Sequence, residues 1–192
     1  MNAKRSLWGL VILGVVSMRG FAMTGPSDLY KKVYDATDPK KAGFLKPGSD
    51  EEKRAVKNFT DFLSDLSTGS VKNGTAKVYA EDAYFNDTLK EITGAPAIEA
   101  YLYRTAESVD ACTVDFLDVS SHEGEYYFRW LMKVKFKKFK RGEVQPSIGV
   151  THIRFNREGK VAFHQDYWDA AGNLFEQIPV LGWVIRKIKK GL

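Results

Sequence analysis

The stretch GVTHIRFNREGKVAFHQDYWD, residues 149–169, decides the fold. Two runs of period two, one from Gln145 to Phe155 and the other from Val161 to Trp168, flank the segment Asn156-Arg157-Glu158-Gly159-Lys160. A three-residue loop ending in glycine suits a type I turn closed by a glycine bulge, because glycine enters the left-handed region without steric cost. This predicts a β-hairpin in which Asn156 pairs with Lys160. Counting outward sets Ile153 against Phe163 and His152 against His164, with Asp166 diagonal to His152 on the same face.

Side chains alternate along the second strand, so His164, Asp166 and Trp168 share one face, and Phe163, Gln165 and Tyr167 the other. An aspartate among aromatics in a central strand is a costly place for a charge. Burial raises such a carboxyl's pKa and suits it to proton transfer, whereas a neighbouring histidine holds it ionised. Three readings of Asp166 stand: a carboxylate bonded to a histidine or helix N-terminus, a ligand-facing acid, or a solvated edge residue. His152, His164 and Asp166 are also the residue types of a two-histidine, one-carboxylate metal face. No further spacing supports that reading, a histidine pair bonded within the core fits as well, and neither metal nor cofactor is expected.

Working upstream, Tyr126 to Phe139 reads as a long strand. Tyr126, Phe128, Trp130, Met132, Val134 and Phe136 alternate with Tyr127, Arg129, Leu131, Lys133, Lys135 and Lys137. The aromatic and methionine face covers either a packed core or an apolar pocket. The lysines mark a wet outer face, or a contact for anionic head groups or an acidic partner. Turns at 122–125 and 140–142, with a strand from Thr113 to Val119, complete a series of consecutive strands that predicts a curved antiparallel sheet.

Helices precede the strands. Ser49 followed by Glu52 is a capping box, with Asp50 and Glu51 in the first turn, and Val56, Phe59, Phe62, Leu63 and Leu66 recur at helical spacing. The helix stops near Thr68-Gly69. Residues 77–87 read as a short helical turn running into a strand. Gly94-Ala95-Pro96 opens another helix with Ile98, Tyr101 and Leu102 on its apolar face. Helices followed by antiparallel strands is an α+β order.

The N-terminus has the pattern of an export signal. Lys4 and Arg5 precede the apolar run Leu7 to Val16, and Gly20-Phe21-Ala22 offers small residues for cleavage after Ala22. That run is shorter than the roughly 20 residues of a membrane span. Residues 1–22 are thus read as a removable signal, an uncleaved anchor or a buried segment, and the first two place the domain outside the cytoplasm, in a periplasm or at a membrane. Residues 23–48, rich in Gly, Pro and Lys, read as a linker or arm in which Leu29, Val33 and Tyr34 form a short docking helix.

The only cysteine among the 192 residues is Cys112, which excludes an internal disulfide and a cysteine-based metal site. The net charge of +5 is modest, and no basic groove with interleaved aromatics points to nucleic acid. Much of the positive charge is terminal. In residues 177–192, Leu181, Val184, Ile185, Ile188 and Leu192 form one helical stripe opposite Arg186, Lys187, Lys189 and Lys190. Such a helix docks on its own domain, lies on a membrane surface or fills a partner's groove.

Several segments taken together resemble the SnoaL-like branch of the nuclear transport factor 2-like superfamily. They are VYAEDAYFNDT (78–88), GAPAIEAYL (94–102), Arg129-Trp130-Leu131-Met132, GVTHIRF (149–155), Gly159-Lys160-Val161 and HQDYWD (164–169), with IPVLGWVIRKIKKGL (178–192) similar to the tail of a bacterial subgroup. The resemblance spans residues 50–192 and implies a cone-shaped fold over 49–176, a curved sheet with helices enclosing a pocket. Its enzymes include ketosteroid isomerase, polyketide cyclases and limonene-epoxide hydrolase, and it also contains non-catalytic binding domains. In the enzymes a carboxylate inside the cone moves a proton. Asp166 matches an Asp of the epoxide-hydrolase pattern, Tyr84 and Asn86 match its Tyr-x-Asn element, and Arg129 matches its Arg-x-Asp element. Leu131 stands where that element has its Asp, so the water-activating triad is incomplete.

The expected function is binding of a small apolar molecule, lipid-, steroid- or polyketide-like, with proton-transfer isomerisation or cyclisation on Asp166 assisted by His152 or His164. Tyr84, Asn86, Trp130, Met132 and Trp168 are expected to line or polarise the cavity. A non-catalytic carrier or assembly domain at the membrane is the rival, and an epoxide hydrolase the third reading. Homodimers are common in the families resembled.

Overall fold

The computed structural model describes residues 25–138 and 142–192. The expectations for residues 1–22 lie outside the described residues. Helix α1 spans Asp28–Ala36 and is followed by the single turn α2, Pro39–Ala42. The compact unit that carries the site is Val33–Leu192.

Helix α3 spans Asp50–Ser64, and Ser49 caps it by accepting the Glu52 amide at 3.2 Å. The Glu52 carboxylate reaches back one residue further than a capping box requires, accepting from the Gly48 amide at 2.5 Å and from the Tyr126 hydroxyl at 2.7 Å. Ala55, Phe59, Phe62 and Leu63 are the buried face of α3. Phe59 lies at the centre of the core, against Phe116, Phe128, Phe155 and His164.

Helix α4 is Thr68–Val78 and the strand starts at Tyr79, so the helical turn expected from Lys77 is the end of a full helix that begins nine residues earlier. Its sequence, TGSVKNGTAKV, is a poor helix former by intrinsic propensity. Ser67 caps it through the Ser70 amide, and Val71, Thr75 and Val78 are buried at i, i+4 and i+7. Packing therefore decides the conformation. Gly74 permits it, because a Cβ at that position would lie 2.5 Å from the Phe62 ring.

Strand β1 (Tyr79–Asn86), the short β2 (Glu91–Thr93) and helix α5 (Ala95–Ser108) follow. Then come β3 (Val109–His122), β4 (Glu125–Phe136), β5 (Val144–Phe155) and β6 (Val161–Trp168). A mixed α+β fold results, with a curved, unclosed six-stranded sheet in the order β2-β1-β6-β5-β4-β3. The expectation of an all-antiparallel sheet is corrected at one place, since β1 pairs parallel with β6. Helices α3, α4 and α5 cover the concave face, on which Tyr126, Phe128 and Trp130 of β4 are buried, while Tyr34 of α1 packs on His152 and Phe163 of the other face. Lys133 and Arg129 are on the other face, paired with Asp115 and Asp118.

The β5–β6 hairpin closes as the turn residues require. Asn156 N–H donates to the Lys160 carbonyl at 2.8 Å, and Gly159 has φ +76°. The register beyond it differs from the expected one. Phe155 pairs with Val161 but Arg154 pairs with Phe163, so Ala162 is an extra residue on β6. This bulge shifts the strands by one position. Ile153 therefore faces His164, His152 faces Gln165, and Thr151 faces Asp166.

After β6 the chain makes the single turn α6 (Ala170–Asn173), a 3-10 turn (Phe175–Gln177) and helix α7 (Pro179–Lys189).

Candidate ligand cavity and its acidic centre

The concave face of the sheet and helices α3 and α5 enclose a cavity of about 220 Å³. Its inner end is formed by buried residues, among them Leu63, Phe85, Val114, Trp130 and His164. Toward the wide end the wall passes to half-buried Met132, Val134, Phe136 and Trp168, and to exposed Leu89 at 43%. The wall is largely hydrocarbon and aromatic ring, which suits an apolar ligand.

Two carboxylates, Asp166 and Asp87, stand in this wall. Asp166 has a side chain 14% exposed and receives two hydrogen bonds on the same oxygen. The Thr151 hydroxyl donates to Oδ1 at 2.5 Å, and His164 Nε2 lies 2.9 Å from that atom. Among the described residues no protein group donates to Oδ2. Trp130 Nε1–H donates to Thr151 Oγ1 at 2.8 Å, which fixes the hydroxyl so that its proton points at Asp166. Gly149 makes this reach possible. A Cβ there would lie 2.4 Å from the Trp130 ring, so the indole lies across the bare backbone of β5.

The protonation pattern follows from the far end of the chain of bonds. Tyr79 is fully buried, its hydroxyl 3.0 Å from His164 Nδ1. Burial, reinforced by the Asp166 charge, pushes its pKa well above the ordinary phenol value, so the hydroxyl keeps its proton. In the His164 tautomer with its proton on Nε2, the Tyr79 hydroxyl donates to Nδ1 and Nε2–H donates to Asp166 Oδ1, so that each ring nitrogen has a complementary partner. Trp130–Thr151–Asp166 and Tyr79–His164–Asp166 thus converge on one carboxylate oxygen.

A second carboxylate at the wide end, Asp87, is tied down by its neighbours. Its Oδ1 accepts the Leu89 and Lys90 amides at 3.0 and 2.8 Å, and the Tyr101 hydroxyl donates to Oδ2. Trp168 Nε1–H donates to the Asp87 carbonyl at 2.8 Å. These bonds fasten the loop after β1 to α5 and β6 and shape the rim. Tyr101 titrates above the ordinary phenol range because of burial and its bond to Asp87.

Of the residues expected at the site, Asp166, His164, Trp130, Met132 and Trp168 line the cavity. His152, Tyr84 and Asn86 are not among the lining residues, and the expectation that they face it is corrected. The bulge at Ala162 puts His152 on the opposite face of the sheet, 3% exposed, stacked on Tyr127 at 4.6 Å and bonded to Glu125. Arg154 completes that cluster, bonding Glu125 at 2.7 and 2.9 Å and lying over the Tyr34 ring at 3.8 Å. His152, His164 and Asp166 therefore do not converge, and among the described residues no group of three His, Cys, Asp or Glu is placed to hold a metal.

Tyr84 and Asn86 miss the cavity because β1 runs in the other phase. Tyr84 pairs with Phe163 and Phe85 with His164, so Phe85 and Asp87 face inward. Tyr84 stacks on Phe163 at 5.1 Å and its hydroxyl donates to Glu91 at 2.8 Å, while Asn86 donates to the Tyr84 hydroxyl. Arg129, on the outer face, is bonded to Asp118. Thr151 and Tyr79, both central to the acidic centre, had no signal in the sequence. A register that included the bulge would have brought Thr151 against Asp166.

A cone of helices and curved sheet around a largely apolar cavity, with Asp166 and Asp87 in its wall, defines the class. The model of the SnoaL-like domain matches residues 59–164, more than half of the chain, and the chain belongs to that family. No curated protein matches it. Among solved structures, it is similar to a limonene-epoxide-hydrolase-like epoxide hydrolase of M. tuberculosis, at 13% identity, over 76% of this chain and 96% of that one, with a TM-score of 0.55. A candidate SnoaL-like polyketide cyclase from Shewanella putrefaciens CN-32 is 18% identical over 68% of this chain and 98% of its own, with a TM-score of 0.55. A protein of ketosteroid isomerase-like fold from Catenulispora acidiphila DSM 44928, solved with trimethylamine, is 14% identical over 69% and 93%, with a TM-score of 0.54. At such identities the likeness establishes the fold.

Proposed function

We propose that this protein binds a small apolar molecule carrying a carbonyl group and moves a proton on it, with Asp166 as the acid/base. One observation carries the reading. Asp166 has Oδ1 held by Thr151 and His164, while Oδ2 has no protein donor among the described residues, in a wall that is largely hydrocarbon and aromatic ring.

The chemistry follows from that geometry. The two bonds on Oδ1 fix the orientation of the carboxylate. Oδ2 then takes a proton from a carbon next to the carbonyl, and the C–H electron pair passes into the enolate. Return of the same proton to a different carbon is an isomerisation. Attack of the enolate carbon on a second carbonyl of the same molecule is a cyclisation, in which the C=O electron pair moves to oxygen and the proton on Oδ2 passes to the alkoxide formed. Trp130, Met132 and Trp168 hold the ligand by burial of apolar surface, with no metal or cofactor invoked.

The rival reading, a carrier in which Asp166 is structural, makes a different prediction for one substitution. Asp166→Asn preserves the size of the side chain. Turnover of a β,γ-unsaturated cyclic ketone, followed by the absorbance of its conjugated product, is expected to fall about 100- to 10,000-fold, the usual range for loss of an acid/base. Binding of an anilinonaphthalene sulfonate probe is expected to persist. Absence of turnover by the unaltered protein across a series of such ketones, with probe binding intact, would favour the carrier. Epoxide hydrolysis is not adopted, since Tyr84, Asn86 and Arg129 are across the sheet from the cavity.

A further inference from the structure

Helix α7 is attached to the protein by the wrong side for self-burial. Val180, Leu181, Val184 and Ile188 form one stripe, which a surface helix ordinarily turns toward the core. Here they are 78, 40, 39 and 58% exposed. The opposite side is what holds the helix. A Cβ on Gly182 would lie 2.0 Å from the Glu176 carbonyl oxygen. Arg186 Nη1 donates to that same carbonyl at 2.9 Å, and Lys189 Nζ lies 2.5 Å from Glu176 Oε1. Of the three readings of this helix, docking of the stripe on its own domain is not the arrangement found.

The surroundings of the stripe specify what covers it. Residues 178–192 contain four cations, Arg186, Lys187, Lys189 and Lys190, and no Asp or Glu. Lys187 and Lys190 have no carboxylate partner among the described residues, and Trp183, 59% exposed, lies beneath Lys187 at 5.9 Å. A second copy of the chain would bring these cations against one another. Anionic head groups would neutralise them, and tryptophan is the side chain most at home at the boundary between head groups and hydrocarbon. The helix has 11 residues, and no described helix is long and apolar enough to cross a membrane, so it would lie in the plane of the surface.

We infer that α7 is a docking element for an anionic lipid surface, seated by its Val180–Leu181–Val184–Ile188 stripe and held by Lys187 and Lys190. Asn173 and Leu174, just ahead of the turn that anchors α7, are part of the cavity wall. Docking would therefore bring the cavity entrance near the lipid, a route for an apolar ligand that does not pass through water. The inference stands independently of any catalytic role for Asp166.

The test uses the full chain bearing Val180→Cys labelled with an environment-sensitive fluorophore. Cys112, the one native cysteine, is 6% exposed. The label reports locally, so attachment through the apolar run Leu7 to Val16 does not produce the signal. Vesicles of phosphatidylcholine with about a third phosphatidylglycerol are expected to blue-shift the label and pure phosphatidylcholine to leave it unchanged, because each lysine near such a surface contributes about 1 kcal/mol. Combining Lys187→Ala with Lys190→Ala should weaken the effect roughly 25-fold, that energy taken twice. A label that stays in water on anionic vesicles would overturn the inference. So would a shift indifferent to the lysines, or one that rises with protein concentration when no vesicles are present, which would point to a second copy.

Discussion

His164 and Asp166, two residues apart on β6, point the same way and meet, with Nε2 of the histidine 2.9 Å from Oδ1 of the aspartate. Strand alternation alone brings them to one face. On the far side of the ring the buried Tyr79 hydroxyl lies 3.0 Å from Nδ1 and complements the tautomer in which Nε2–H donates to Asp166. Replacing Tyr79 by Phe removes that donor and leaves Nδ1 without a partner in the core. Expected are a stability loss of about 1–3 kcal/mol, the cost of an unpaired buried polar group, and lower turnover. Thermal unfolding and ketone isomerisation measure the two effects separately.

Thr151 is the second support of the carboxylate. Thr151→Val keeps the shape and removes the hydroxyl that donates to Oδ1, while also depriving Trp130 Nε1 of its acceptor. Turnover should fall by about tenfold for the loss of roughly 1.5 kcal/mol of charge-assisted hydrogen bonding, with probe binding retained. An unchanged rate would show that Asp166 needs no such support.

Gly149 tests the packing of the wall. Its substitution by Ala would place a methyl 2.4 Å from the Trp130 ring, in an interior with no room to yield. A cost of about 1–3 kcal/mol is expected, together with a changed Trp130 emission and weaker probe binding.

The cluster behind the sheet predicts an acid response that is separate from catalysis. Burial lowers the His152 pKa below 6.5 against the opposing pull of Glu125, so folding favours the neutral ring. Glu125 is held below its ordinary value of 4.5 because the bonds from Arg154 and His152 outweigh its burial. Both folded pKa values are depressed, so both contributions are fully present above the unfolded values and are lost as pH falls. The melting temperature should begin to drop below about pH 6.5, and drop further below about 4.5. His152→Gln should flatten the first segment and leave turnover unchanged.

The sequence revealed the hairpin, the alternation of β4 and the face shared by His164, Asp166 and Trp168, because each depends on local geometry with a period of two. It hid the partners of that face. The bulge at Ala162 leaves no mark in composition, and one inserted residue exchanged His152 for Thr151 opposite the acid. The phase of β1 was hidden for a related reason: Tyr84 and Phe85 are both aromatic and both buried, so hydrophobicity could not say which faces the cavity. Helix α4 escaped notice because its two glycines and four β-branched residues argue against a helix, and the close approach of Gly74 to Phe62 that decides the matter is a tertiary contact. The stripe of α7 was plain in the sequence, but its outward orientation depends on Glu176 gripping the polar side.

Proton transfer by Asp166 is read most directly by deuterium wash-in at the carbon next to a carbonyl, which registers exchange without net reaction. A cyclic ketone incubated in heavy water and followed by NMR is expected to exchange faster with the unaltered protein than in buffer. The Asp166→Asn protein should bring the rate back to that of buffer while still binding the ketone. Equal exchange rates for the two proteins, with the ketone bound to both, would contradict the account.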